Sequence, residues 1–287
     1  MVSGPWTMRR VRDGLVAGCL LGGLAVLWAG AVQAEDCAKP VYLTLDTGHM
    51  GVAELVAQVL ERQQVQVTFF AANERTKVGD GSLGTGPNAH WAAWWRARAA
   101  EGHAFASHTL NHSYWRADLP QPDGSMRFRV RASAGPQAGQ DLTWDAARYC
   151  AEIKAADTRL REVTGVAPLP LYRAPGGKTS PALLAAARAC EGGGYLHVGW
   201  SDAGFLGDEL PSDKYPNDVL LRKALRDIRA GDVLMAHLGI WSRREPWAPA
   251  VLEPLIVGLK QRGFCFRTLR EHPDFRAWIA AHPAAGK

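Results

Sequence analysis

Cysteine is scarce in this chain, five in 287 residues, and no two stand in a C-x-x-C pair. That spacing gives no sign of a zinc-type or redox pair. No basic run is interleaved with aromatics, and the formal net charge is only +5. The balance is too mild to argue for a nucleic-acid partner. No internal repeat or long low-complexity segment stands out, which excludes a repeat array and leaves an ordinary packed domain.

What is present begins with a leader. Arg9, Arg10 and Arg12 precede an almost continuous apolar run from Gly14 to Val32, and Val32-Gln33-Ala34 offers small residues for cleavage. This is the pattern of an export signal over residues 1–34. Retention as a membrane anchor is the alternative, since the run approaches the length needed to span a bilayer. A lipoprotein-type site at Val16-Ala17-Gly18-Cys19 would leave most of the run on the mature protein. The residues around Arg9-Arg10 give the twin-arginine route little support. Removal of the leader leaves residues 35–287, roughly 250 residues, enough for one large domain with a full core. A secreted or periplasmic monomer with no stable membrane span is expected. Cys37, Cys150, Cys190 and Cys265 remain, and an even number in an exported chain suggests disulfides. Three pairings are possible, and composition does not choose among them.

Short β-prone runs alternate with longer helical stretches. Strands are expected at Val41 to Leu45, Val67 to Phe70, His103 to Ala106, Leu169 to Tyr172, Tyr195 to Val198, Val233 to Ala236 and Phe264 to Thr268. Gly51 to Gln63 places Val52, Leu55, Val56, Val59 and Leu60 on one helical face. Asn88 is expected to cap a helix to Ala100, whose Trp91, Trp94 and Trp95 read as core. Thr143 is expected to cap a long helix ended by Gly165. Ser180-Pro181 reads as an N-cap with Pro at the first helical position. Helices from Val219 to Ala230 and Ala250 to Arg262 complete the series. This alternation argues for a parallel α/β fold, an open sheet or a barrel. Trp115 to Gln140, rich in Pro, Gly and Arg, breaks the pattern as a long loop or a small hairpin around Met126 to Val130.

The polar residues gather at strand ends. The first strand ends in Asp46-Thr47-Gly48-His49, the third in Ser107-His108, the fourth in Arg173-Ala174-Pro175-Gly176-Gly177 and the sixth in His237. Ligands bind outside the carboxyl ends of parallel strands in barrels and open sheets alike. His108-Thr-Leu-Asn-His112 sets two imidazoles four residues apart across a turn, and neutral imidazole is the commonest side-chain ligand for a transition metal. Four such ends in register are hard to explain as core histidines.

On these residues the chain resembles the polysaccharide deacetylases with the NodB-homology domain, carbohydrate esterase family four. The first family motif, T-F-D-D-G, reads here Thr44-Leu45-Asp46-Thr47-Gly48. The second, H-S/T-x-x-H, is intact at His108 to His112. The third, R-x-P-x-G, spans Arg173 to Gly177, with Gly176 where an aromatic is common. The fifth, L-x-x-H, is Leu234 to His237, and the fourth is loose, best matched by Trp200-Ser201-Asp202. The resemblance implies a distorted (β/α) barrel of about seven parallel strands that hydrolyses the N-acetyl groups of a glycan. It implies a divalent metal, zinc by preference, held by His108 and His112. Asp46 would be the general base, Arg173 its orienting partner and His237 the general acid. Backbone N–H groups near Gly176 would serve the oxyanion and Trp200 would line the acetyl pocket. Closure of the barrel would pair Cys37 with Cys265, and Cys150 with Cys190 on consecutive helices.

One departure is chemical. The family's second aspartate, its usual third metal ligand, is Thr47 here, and a neutral hydroxyl is a poor substitute for a carboxylate on a divalent ion. Three readings follow: Asp46 or His49 completes the coordination; the metal binds weakly through two histidines; or the protein is a sugar-binding relic or a metal-independent amidase. From sequence, Thr47→Asp should tighten the metal site.

Overall fold

The computed structural model describes residues 37–283 apart from Pro87, and the leader expected over residues 1–34 lies outside the described residues. The strands β1 (Pro40–Asp46), β2 (Thr68–Ala71) and β3 (Ala104–Ser107) run parallel, linked through α1 (Ala53–Arg62) and α2 (Ala92–Ala100). A separate antiparallel sheet follows, of β4 (Ser113–Pro120), β5 (Met126–Ala132) and β6 (Asp141–Asp145). After α3 (Ala146–Thr164) come β7 (Leu171–Tyr172), α4 (Pro181–Arg188), β8 (Leu196–His197), α5 (Asn217–Asp227) and β9 (Val233–His237). The series ends with α6 (Leu252–Gln261), β10 (Cys265–Phe266) and α7 (Pro273–Ala281).

The large sheet has seven strands in the order β10-β1-β2-β3-β7-β8, with β9 also paired to β1. β10 pairs the start of β1 and β9 the remainder, so one edge of β1 is shared. The chain leaving β8 then runs beside β9: Ser201 N donates to Val233 O at 3.0 Å and Met235 N to Gly204 O at 2.8 Å. This irregular segment fills the gap between β8 and β9, and the result is the distorted parallel α/β barrel expected from the sequence.

The two faces of each strand have separate tasks, because side chains alternate along a strand. Val41, Leu43 and Leu45 of β1 join Phe69, Phe105 and Leu234 in a core shared with α1 and α6. The opposite parity contributes Tyr42, Phe70, Ala104, Ala106, Leu171 and Val233 to a second cluster, against which Phe275, Trp278 and Ile279 of α7 pack. Asp46, His108, Arg173 and His237 continue that second parity, each at or just past its strand's carboxyl end. The strand that buries the core thus also delivers the polar residue.

Four local expectations change. The stretch after the histidine pair forms a three-stranded antiparallel sheet, and Phe128, Val130, Trp144 and Tyr149 give it its own core. Thr143 lies within β6, paired with Arg129, and Asp145 caps α3 by accepting from Arg148 N at 2.8 Å. Asn88 does not cap α2, which begins at Ala92 without a side-chain cap. Asp80 instead takes the His90 N–H in the preceding turn. The closing helix α7 was not anticipated. Ser180 does cap α4, accepting from Leu183 N at 3.1 Å. Both disulfides pair as expected, Cys37 with Cys265 and Cys150 with Cys190, with Cα atoms 5.9 and 5.6 Å apart.

Candidate active site

A cleft of about 420 Å³ opens at the carboxyl ends of the strands, lined by Asp46, Glu74, His108, His112, Gly176, Trp200 and His237 among others. Arg173, from the end of β7, lies fully buried beneath it. Its Nη1 donates to Asp46 Oδ1 at 2.6 Å, while Nε and Nη2 donate to the carbonyls of Val198 and Gly199. The guanidinium stacks over Phe70, 4.1 Å from the ring centroid. A charge this deep needs its counter-ion and carbonyl partners, and they fix its plane. Burial pushes the Asp46 carboxyl up, but Arg173, then His108 and His237, outweigh it and hold Asp46 below its ordinary value.

Asp46 and His237 are register partners on adjacent strands. Asp208 holds the histidine from behind: His237 N donates to Asp208 Oδ2 at 2.7 Å, and Nδ1 lies 3.1 Å from the same carboxylate. Burial works against charge on His237, yet Asp208, with smaller help from Asp46 and Glu209, raises it to about 9. The carboxylate that contacts His237 is Asp208, six residues beyond Asp202 in the irregular segment.

The turn from His108 to His112 is tightly built. Thr109 and His112 both take positive φ, 59° and 47°, an uncommon backbone state for non-glycine residues that clusters at functional sites. Ser113 N donates to Thr109 Oγ1, and the buried Glu152 of α3 accepts from both Asn111 N and Asn111 Nδ2. His108 Nδ1 sits 2.9 Å from Arg173 O, and its Nε2 is 3.5 Å from Asp46 Oδ2. Burial dominates over Asp46 and lowers His108 to about 4, so the ring stays neutral. The two rings are edge-on, centroids 4.8 Å apart, and His112 Nδ1 lies 2.7 Å from Ser133 Oγ.

Sequence reasoning missed Glu74, three residues past β2. Its Oε2 accepts from Thr47 Oγ1 at 2.5 Å and from Gly48 N at 2.6 Å, and its Oε1 faces His112 Nδ1 at 3.8 Å. A lone carboxylate outside any motif gave no signal; only the fold brings it beside Thr47. His49 turns away, accepting from Gly51 N and packing against Trp241, and it lines a neighbouring pocket with Lys77 and Arg243. His197 is a half-buried strand residue lowered to about 4 by burial. Gly176 sits in a short 3-10 turn at φ 64°, where a Cβ would stand 2.9 Å from Tyr114 Cε1. Tyr114, from β4, thus occupies the room that a side chain at 176 would need. Trp200 packs its ring against Gly177.

Among the described residues no group of three or more His, Cys, Asp or Glu side chains is gathered as a ready metal cage. The donor chemistry still fits a divalent ion: two neutral-capable imidazoles, with one second nitrogen held by a carbonyl and the other by a hydroxyl, stand beside two carboxylates.

Several solved structures share this fold. An acetyl xylan esterase of family four from Clostridium thermocellum, in complex with a cobalt ion, is 20% identical, with a TM-score of 0.59, covering 87% of this chain and 100% of its own. The Bc1960 peptidoglycan N-acetylglucosamine deacetylase is 19% identical, with a TM-score of 0.54 and coverage of 81% and 87%. A family-four pseudoenzyme from Bacillus anthracis, BA3943, is 14% identical, with a TM-score of 0.56 and coverage of 82% and 65%. No curated protein sequence matches the chain. The sequence profile described as "Polysaccharide deacetylase" matches residues 33–192, more than half of the chain. The chain therefore belongs to the polysaccharide deacetylase family, hydrolases that act on the carbon–nitrogen bonds of N-acetylated sugars.

Proposed function

We propose that this protein removes acetyl groups from an N-acetylglucosamine-type glycan, such as a peptidoglycan strand, by metal-assisted hydrolysis. The observation that carries this reading is the backing of Asp46 by Arg173 and of His237 by Asp208, two opposed pairs facing one cleft. Titratable groups driven apart in this way divide into a base and an acid. Asp46, held ionised, takes the proton of the attacking water. His237, held protonated, gives one to the leaving amine, and Asp208 keeps that imidazolium oriented. The Gly176 backbone N–H donates to the carbonyl oxygen as charge develops there, and Trp200 lines the acetyl pocket. His108 and His112 would hold the metal, zinc by preference, and a divalent cation there would supply Lewis acidity for the carbonyl and for the water.

A second reading, a sugar-binding relic, is favoured by Thr47, since the first motif lacks its second carboxylate. Acetate release from chito-oligosaccharides and peptidoglycan fragments, with chelator and with zinc restored, separates the two. The deacetylase reading expects acetate that falls with chelator and returns with zinc. Glycan binding without acetate from any substrate would support the relic, and full turnover in chelator would support a metal-independent amidase.

Export into the periplasm or medium as a monomer, with the leader removed near Ala34, is part of the same proposal. Two disulfides agree with an oxidising compartment. Intact mass of the envelope-fraction protein should match a chain starting near Glu35, and a chain still starting at Met1 would contradict it.

A further inference from the structure

Thr47 removes a carboxylate from the end of β1, and the fold sets another beside it from the end of β2. Thr47 Oγ1 is locked between two partners: it accepts from Ala72 N at 3.2 Å and donates to Glu74 Oε2. The backbone of Glu74 is pinned on both sides by Ser82, whose Oγ accepts from Glu74 N at 2.8 Å while Ser82 N donates to Glu74 O at 2.9 Å. Ser82 Oγ in turn donates to Ala72 O. The carboxylate is therefore anchored at its backbone and at one oxygen. The other oxygen faces the histidine pair, and among the described residues its ion-pair partner is His112 alone, without Lys or Arg. The 3.8 Å between Oε1 and His112 Nδ1 is too long for a hydrogen bond. Ser133 holds Nδ1, so an ion would take the other ring nitrogen of His112, and Glu74 lines the same cleft as His108 and His112.

We propose that Glu74 supplies the metal-ligating carboxylate that the first motif has lost, so that the metal set of this chain is Glu74, His108 and His112. Thr47 and Gly48 are positioning residues that hold the outer oxygen of Glu74 and leave Oε1 for the ion. The ligand has moved from one strand end to its neighbour, and the threonine that replaces the aspartate orients its substitute. The proposal rests on the metal-assisted reading above, and its test separates failure of the one from failure of the other.

The expected behaviour of Thr47→Asp is now reversed. Next to Glu74 a second carboxylate would meet Oε2 where a hydroxyl donates, so the single variant should not gain affinity. In a Glu74→Gln background the same change should restore it. Zinc titration of the metal-stripped protein by calorimetry, and visible absorption of the cobalt form, read binding without turnover. Wild type should bind one zinc. Glu74→Gln should weaken binding on the order of 10–100-fold or more, the loss seen even for outer-shell partners, with altered cobalt bands. Thr47→Asp/Glu74→Gln should recover most of the loss. Metal-free melting curves show whether each variant is folded, and the double variant carries the test should Glu74→Gln alone not fold. Unchanged affinity in folded Glu74→Gln, with loss in His108→Ala and His112→Ala, would overturn the role of Glu74 and leave the metal reading standing. Wild type that binds no zinc would overturn both.

Discussion

His108 and His237 are the same residue type at the ends of strands in one sheet, and their surroundings drive them in opposite directions. Burial holds His108 neutral at about 4, fit to donate a lone pair. Burial acts on His237 as well, but Asp208 overrides it and raises that ring to about 9, fit to donate a proton. The groups facing His237 are Asp208, Asp46 and Glu209, all acidic, so each favours the imidazolium. A general acid works while protonated, so kcat/KM should stay high through neutral pH and fall as pH rises through about 9. Removing the charge by Asp208→Asn leaves burial unopposed by its main counterweight. The alkaline limb of the pH–rate profile should then move to lower pH, and a limb that does not move would contradict the acid role. Asp208 and Glu74 were not legible in the sequence because each stands in an irregular segment with no fixed spacing to a motif. Asp46, Arg173 and His237 were legible because each stands at or just beyond a strand end.

At the scale of elements, the parallel strands were legible from apolar runs with polar ends, while the antiparallel insertion was only half legible. Met126 to Ala132 reads Met-Arg-Phe-Arg-Val-Arg-Ala, a period-two pattern with Phe128, Val130 and Ala132 buried and the arginines exposed. That alternation marks a strand, but its partners β4 and β6 carry weaker patterns. The insertion does more than wall the cleft. It brings Ser133 to His112 and Tyr114 to Gly176, and α3 behind it supplies Glu152 to the histidine turn. The glycine in the third motif is thus matched to a tyrosine from another element. Gly176→Ala should destabilise by about 1–2 kcal/mol from its left-handed backbone alone, with a further cost from Tyr114. In a Tyr114→Ala background that second part should vanish, leaving a coupling energy in a double-mutant cycle of denaturant unfolding. Strictly additive losses would show that the two residues do not compete for space.

For the whole molecule, one rule organises fold and site: a strand face that packs the interior ends in a residue that does chemistry. The rule makes the cleft visible from strand ends, and the pairing of the first and last strands of a barrel makes the Cys37–Cys265 bond legible. The rule could not show how irregular backbone closes the ring between β8 and β9, because hydrogen bonds of a non-repeating segment leave no periodic trace. Nor could it show that one carboxylate had moved between neighbouring strands, a contact that exists only in three dimensions. The central claim is that Asp46 and His237 form the acid–base pair of an acetyl-amide hydrolase. Its most direct test is acetate release from an N-acetylglucosamine oligosaccharide by wild type, Asp46→Asn and His237→Ala at saturating zinc. The account predicts measurable release by wild type and losses on the order of 10²–10⁴-fold in each variant. Equal rates in all three would contradict it.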